Sequence, residues 1–148
     1  MKVYKFGGAS VKDANAVKNL YSLIKDEDSE LIVVVSAMGK TTNRLERVWE
    51  KCISQEKNSA KLELEKLSLF HSEIIHHLNL SQDEKLDVKF KSYIDELKEI
   101  IKNYKNENQA FTYDQIVSYG ELFSTIIISH FLHQNGKHNT WLDARKLI

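Results

Sequence analysis

The fold is decided by residues 31–43, which read LIVVVSAMGKTTN. The first five residues of this stretch are all apolar, and such a run predicts a strand that is buried on both faces. A polar loop containing Gly39 follows, and its last three residues can cap a helix: Thr41, Thr42 and Asn43. A buried strand that passes through a polar loop into a helix predicts a parallel sheet covered by helices.

The remaining apolar spacing predicts the other elements around this strand. Residues 3–6 form a short strand, and Ser10 or Asp13 can cap the helix that follows it. Two apolar stripes, within residues 67–78 and 86–104, predict an antiparallel helical hairpin. A long helix over 113–134 and a third strand over 139–143 complete the chain. This order favours a mostly parallel sheet with helices on its faces.

Composition excludes several classes of protein. The chain has 148 residues, and its 21 basic and 21 acidic side chains cancel, so no nucleic-acid partner is expected. Its single cysteine, Cys52, lies on an apolar stripe and is interpreted as a core residue. The apolar runs are far shorter than the roughly 20 residues that span a bilayer, and the N-terminus lacks a signal-peptide pattern. We therefore expect a cytoplasmic protein with no membrane partner.

No metal site is predicted from the histidines. His130 and His133 are three residues apart, but the sequence places no carboxylate or third histidine beside them. His71, His76 and His77 do not share one helix face.

The first candidate site is the segment KFGGAS, residues 5–10, at the end of the first predicted strand. Glycines let backbone amides approach phosphate oxygens, and the Lys5 ammonium can neutralise charge that develops during phosphoryl transfer. The segment is neither a Walker A loop nor a dinucleotide fingerprint, because the spacing of its glycines fits neither. By residue type alone, a plain turn remains an alternative.

The second candidate site is the loop SAMGKTTN, residues 36–43. Ligands of open parallel sheets bind beyond the carboxyl ends of the strands, so this loop and the first should face one crevice if their strands are neighbours. The alternative is that its hydroxyl groups only cap the helix.

The third candidate site is SYGELFST, residues 118–125, in the long predicted helix. Glu121 is flanked by apolar residues, and a carboxylate buried there would need a polar partner. Gly120 costs about 1 kcal/mol of helix stability relative to alanine, which predicts that another backbone or a ligand approaches it closely. The alternative is a half-exposed glutamate that reaches water.

Together these segments resemble the N-terminal part of the aspartokinase family. KFGGASV at residues 5–11 is similar to the family's opening Lys-Phe-Gly-Gly-Thr-Ser-Val, and the loop ending in Thr42-Asn43 is similar to its second-strand loop. Residues 119–124 resemble its Gly-Glu-x-x-Ser helix, and residues 141–145 resemble the strand segment that follows. Ala9 departs from the family pattern, which has threonine there.

The resemblance implies an amino-acid-kinase fold, an α/β class of fold in which a three-layer α/β/α sandwich surrounds a mostly parallel sheet. It implies transfer of the γ-phosphoryl group of ATP, with Mg²⁺, to the side-chain carboxylate of L-aspartate, the first step toward lysine, threonine and methionine. Lys5 would be catalytic. The resemblance assigns the other site residues to phosphate (Phe6, Gly7, Gly8 and Ser10) and to aspartate (Ser36, Thr42 and Glu121).

The resemblance also implies that residues 1–148 are the N-terminal portion of a catalytic domain. Aspartokinases continue into an ATP-pocket half and regulatory ACT domains, so we expect this chain alone to be inactive and the full-length parent to be a homo-oligomer. The resemblance leaves undecided whether the full-length parent is fused to a homoserine dehydrogenase. Two alternatives remain: another kinase of this fold, acting on glutamate, carbamate or UMP, and a non-catalytic Rossmann-like binding or oligomerisation module.

Overall fold

The computed structural model describes residues 1–147, which form two parallel strands and six α-helices. Their order along the chain is β1 (Lys2–Phe6), α1 (Ala14–Ile24), β2 (Leu31–Val35), α2 (Thr41–Ile53), α3 (Lys57–His77), α4 (Glu84–Asn103), α5 (Gln109–Val117) and α6 (Tyr119–Gln134). Short 3₁₀ turns follow β1 (Gly8–Val11) and α6 (Ala144–Lys146). None of the helices in the described part is long and apolar enough to cross a membrane.

The two strands are direct neighbours in a parallel sheet. Lys2 lies opposite Leu31 and Phe6 lies opposite Val35, and the Ser36 amide donates a hydrogen bond of 3.0 Å to the Phe6 carbonyl oxygen. Both strands therefore end at one edge of the sheet, and the loops that follow them emerge side by side.

Helices cover only one face of this sheet within residues 1–147. Phe6 and Val33 pack against the apolar core, whereas the other face leaves Val3 59%, Ile32 47% and Val34 45% exposed. The prediction that the strand of residues 31–35 is buried on both faces is therefore wrong for the described residues. The continuous apolar run gives β2 an apolar surface on both faces of the sheet. Among residues 1–147, helices pack against only one of these faces.

The predicted third strand, residues 139–143, is also wrong. A strand needs a partner backbone, and this segment instead fastens itself to α6 through side chains. The Trp141 indole donates to the Thr125 hydroxyl at 3.0 Å, and the Asn139 amide donates to the Ser129 carbonyl oxygen at 3.0 Å.

The predicted hairpin is confirmed as α3 and α4, but the predicted helix over 113–134 is two helices. α5 already begins at Gln109, and the break before α6 falls at Ser118, whose hydroxyl donates to the Gln115 carbonyl oxygen at 2.9 Å. Ser118 keeps helical backbone angles and its amide still donates to the Asp114 carbonyl oxygen at 3.2 Å, so α6 follows α5 after a local interruption.

Cys52 lies in the core, as predicted. It is almost fully buried on α2, and this burial raises the pKa of its thiol to about 11. A thiol with such a pKa stays protonated near neutral pH, so Cys52 is not an activated nucleophile.

Candidate functional site

The first loop lies directly against the second at the carboxyl ends of the strands. The Gly39 amide donates a 3.3 Å hydrogen bond to the Gly8 carbonyl oxygen. A Cβ atom on Gly8 would lie only 2.8 Å from the Ala37 carbonyl oxygen, so this position requires glycine. A Cβ atom on Gly7 would meet no atom within 4 Å, so the backbone at Gly7 stays open to a ligand.

The first loop closes into a 3₁₀ turn before α1 begins. The Ser10 amide donates to the Gly7 carbonyl oxygen at 2.9 Å, and the Ser10 hydroxyl is exposed. Of the two predicted caps, Asp13 is the one used, because its carboxylate accepts from the Ala16 amide at 2.8 Å. The turn therefore separates Gly7 and Gly8 from the start of α1 at Ala14.

Lys5 is the next-to-last residue of β1, and its side chain has no hydrogen-bond or salt-bridge partner among residues 1–147. Its side chain is exposed, it is in register with Val34, and it forms no salt bridge with any residue of the described part. The ammonium group is thus available to a ligand.

Helix α6 is held against the second loop at two points. A Cβ atom on Gly120 would lie 2.8 Å from the Cβ of Ala37, which is the close approach predicted for this glycine. One turn later, the Ser124 hydroxyl lies 2.8 Å from the Ser36 carbonyl oxygen and 3.1 Å from the Glu121 carbonyl oxygen. This one hydroxyl therefore brings the backbones of Ser36 and Glu121 close together.

Three of the predicted site residues present polar side chains without partners here. Glu121 is exposed although its neighbours Leu122 and Phe123 are buried, so its carboxylate faces solvent rather than a closed cleft. Thr42 is exposed on the first turn of α2, and Ser36 is half-buried. No hydrogen bond engages these three side chains within residues 1–147. They are free to bind a polar molecule.

The sequence does not reveal how several residues shape this site. Ala37 separates the two glycines, Ser124 fastens α6, and buried Thr41 and His71 lie behind the second loop. The position of His71 on the apolar row of Leu67 and Ile74, with spacings of four and three residues, would have predicted its burial. A buried histidine ring must then find hydrogen-bond partners.

We expect Gly120→Ala to lower the free energy of unfolding by up to about 2 kcal/mol. Overpacking costs about 1–3 kcal/mol, and the 2.8 Å approach to the Ala37 Cβ favours the upper part of this range, which exceeds the gain of about 1 kcal/mol in helix propensity. Urea unfolding monitored by circular dichroism measures the change. Gly7→Ala is the matched control, because its added methyl meets open space.

The double variant Ala37→Gly/Gly120→Ala removes the opposing methyl and should recover part of the loss. Additive losses in the double variant, or an increase in stability for Gly120→Ala alone, would contradict the role given to this contact.

Comparison with known proteins finds relatives over the whole chain. Residues 1–148 match the family described as "Amino acid kinase family". Aspartokinase 1, chloroplastic, of Arabidopsis thaliana is 35% identical over 148 residues, covering 96% of this chain and 25% of its own length. Bifunctional aspartokinase/homoserine dehydrogenase 2 of Escherichia coli (strain K12) is 26% identical, covering 99% of this chain and 18% of its own. The chain thus spans about a quarter or less of these two relatives.

Solved structures show the same fold. E. coli aspartokinase III in complex with lysine and aspartate (T-state) superposes with a TM-score of 0.85 at 24% identity, covering 97% of this chain and 31% of that one. The same enzyme in complex with aspartate and ADP (R-state) gives a TM-score of 0.81 at 23% identity, covering 99% and 32%. The predicted amino-acid-kinase type of α/β fold is confirmed by this likeness.

Proposed function

Because the chain belongs to the amino acid kinase family, we propose that it forms the N-terminal part of an enzyme that transfers the γ-phosphoryl group of ATP to the side-chain carboxylate of L-aspartate. The observation that carries this proposal is the junction of three segments at one sheet edge: the Gly7-Gly8 loop, the Ser36–Thr42 loop and the Glu121 turn of α6. Each presents polar groups that no described residue engages. The similarity to aspartokinases, one of them crystallised with aspartate and ADP, supports the choice of substrates.

In the proposed reaction, a carboxylate oxygen of aspartate attacks the γ-phosphorus atom while the bond to the bridging oxygen of ADP breaks. The nucleophile belongs to the substrate, so the protein needs no nucleophilic side chain of its own. Its task is to align the two substrates and to neutralise the charge that spreads over the transferring group. Lys5 is the cation for that charge. Phosphate oxygens would bind along the first loop (Phe6, Gly7, Gly8 and Ser10).

Aspartate would bind on the other side of the junction. Its ammonium group carries a positive charge, and the exposed carboxylate of Glu121 is the complementary group on α6. The hydroxyls of Ser36 and Thr42 would bind the carboxylates of the substrate. This arrangement would direct the reacting carboxylate toward the first loop.

Mg²⁺ would accompany ATP and is expected to be held chiefly by phosphate oxygens, as is common for this ion. The described residues hold no group of three or more histidine, cysteine or acidic side chains that could bind a metal by themselves. The product would be 4-phospho-L-aspartate, which opens the route to lysine, threonine and methionine. We further propose a cytoplasmic, homo-oligomeric parent enzyme.

Two assays together test the proposal: ADP release measured with each acceptor, and hydroxylamine trapping of the acyl phosphate formed from aspartate. The complete product of the reading frame should phosphorylate aspartate in preference to glutamate, carbamate and UMP. Residues 1–148 alone should be inactive, because they span only a quarter or less of the two relatives compared above. Preference for another acceptor would replace the proposed substrate. Absence of all phosphoryl transfer by the complete product would instead favour a non-catalytic module.

We expect Glu121→Ala to raise the KM for aspartate by about 10- to 100-fold, with little change in kcat. The loss corresponds to one charge-assisted hydrogen bond, made equally in the ground state and the transition state. Steady-state kinetics with varied aspartate measure it, and Glu50→Ala, an exposed glutamate in the body of α2, is the control. A fall in kcat with KM unchanged would contradict this role.

A further inference from the structure

We propose that His71 is a positioning residue, which acts through Thr41 to hold the first turn of α2 and the loop that carries Ser36 and Thr42. His71 lies on α3, outside the three segments of the candidate site. The consequence for aspartate binding rests on the proposed function, whereas the structural part can be tested without it.

The His71 ring is enclosed by aromatic side chains and has no exposed surface. Its centroid lies 4.9 Å from that of Phe123 on α6, 5.1 Å from that of Phe70 and 6.2 Å from that of Phe90 on α4. A histidine in such apolar surroundings costs free energy unless its nitrogens are bonded. Its partners therefore explain why a polar ring is kept at this place.

The contacts of the ring fix its tautomer. Nδ1 lies 2.9 Å from the Leu67 carbonyl oxygen, which can only accept, so Nδ1 carries a proton. Burial lowers the pKa of His71 to about 4, and the charged group that adds to this effect is the Arg44 guanidinium. The ring is therefore neutral near pH 7, and Nε2 has a free lone pair.

That lone pair faces the Thr41 hydroxyl. The distance between Nε2 and Oγ1 is 3.4 Å, while Oγ1 lies 2.6 Å from the Met38 carbonyl oxygen. Thr41 has one hydroxyl proton, which it donates to the Met38 carbonyl oxygen, so Nε2 and Oγ1 touch as two acceptors without a hydrogen bond. The ring thus restrains the Thr41 side chain by contact, in the position in which it closes the turn from Met38 to Thr41.

This turn is part of the candidate site. The amide of Thr41 also donates to the Met38 carbonyl oxygen, at 3.0 Å, so both polar groups of Thr41 close the same turn. A Cβ atom on Gly39 would lie 3.4 Å from the Phe70 ring, next to His71, and one on Gly120 would lie 3.7 Å from Cγ2 of Thr41. Through Thr41, the hairpin therefore supports both the second loop and the start of α6.

Nuclear magnetic resonance of the 148-residue chain tests the structural part directly. In ¹⁵N-labelled protein at pH 7, His71 should be neutral, with Nδ1 protonated and Nε2 unprotonated. Protonation at Nε2 with Nδ1 bare would overturn the proposal, because that tautomer cannot make the bond to Leu67.

A matched pair of variants tests whether Thr41 needs a side chain at the place of Nε2. His71→Asn keeps an amide near Nδ1 but withdraws the group that faces Thr41, whereas His71→Gln returns an amide to the place of Nε2. We expect amide hydrogen exchange across residues 39–42 to become about tenfold faster in the Asn variant and to stay near the wild-type rate in the Gln variant. Equal exchange rates in the two variants would overturn the proposal.

Kinetics of the complete gene product test the catalytic part. His71→Asn and Thr41→Val should each raise the KM for aspartate about tenfold, because both release the same turn, and together they should do no more than either alone. His71→Gln should restore the KM, and His77→Asn, an exposed histidine on the same helix, should leave it unchanged. A KM unaffected by His71→Asn in an active kinase would overturn the catalytic part. An inactive wild-type protein would instead refute the proposed function and leave the exchange experiment decisive for positioning.

Discussion

Replacing Lys5 by alanine is expected to lower kcat for aspartyl phosphate formation by about 100- to 1,000-fold, with a much smaller change in either KM. The ammonium group gains its importance in the transition state, when negative charge spreads over the oxygens of the transferring group, and removal of one such electrostatic contact costs about this much. Hydroxamate-coupled steady-state kinetics of the complete gene product measure both parameters.

The fold should survive this substitution, because Lys5 is exposed and makes no salt bridge with the described residues. Lys18→Ala, an exposed lysine on α1, is the matched control and should retain full activity. Lys5→Arg should recover only part of the rate, since a planar guanidinium places its charge differently. A Lys5→Ala enzyme that keeps its kcat but loses affinity for aspartate would reverse the roles given to Lys5 and Glu121.

The second large effect is acid destabilisation through His71, of about 3 kcal/mol between pH 6.5 and pH 4. The ordinary pKa of 6.5 applies to the unfolded chain, and burial lowers the pKa in the folded chain to about 4. Between these values the unfolded chain binds the extra proton, so the free energy of unfolding falls as the pH falls. The full contribution is present above pH 6.5, where the ring is neutral in both states.

The pH range in which His71 changes the free energy of unfolding can be separated from the range in which Glu27 does. Hydrogen bonds from Lys2 and Ser29 lower the pKa of Glu27 from 4.5 to about 2, so its contribution is lost only below about pH 4.5. Urea unfolding at intervals from pH 7.5 to 4.5 therefore isolates the histidine. His71→Asn should flatten the curve there, while His77→Asn should leave it as in the wild type. An unchanged slope in His71→Asn would show that another group is responsible.

The sequence was sufficient for features that depend on local pattern. Apolar residues spaced three or four apart predicted the helical hairpin, and the apolar run at residues 31–35 predicted β2. The meeting of the first two loops followed from one further rule, that parallel neighbours end at a common edge. The aspartokinase resemblance rested on three short motifs in order, and the similarity of the whole chain confirms it.

The features that were missed depend on tertiary partners. Residues 139–143 were predicted to be a strand, but no backbone among residues 1–147 pairs with them, and Trp141 bonds to α6 instead. The interruption at Ser118 leaves helical backbone angles at that residue, so the apolar spacing does not reveal it. The place of His71 beside Thr41 is not visible in the sequence, because the spacing of histidines along one helix does not reveal the threonine that lies 30 residues earlier.

The contact of Ala37 with both glycines has a consequence for how new specificities can evolve on this scaffold. The carbonyl oxygen of Ala37 lies against Gly8, and the methyl group of Ala37 lies against Gly120. Neither glycine has room for an added carbon atom. The distance between the first loop and α6 is therefore set by the backbone and the one methyl group of Ala37. In the proposed function, the chemistry of the site comes from other atoms, the exposed side chains of Lys5 and Glu121. Mutation can alter those side chains while the distance between the first loop and α6 stays the same. In the proposed function, a change of acceptor would therefore require few substitutions and no change of fold.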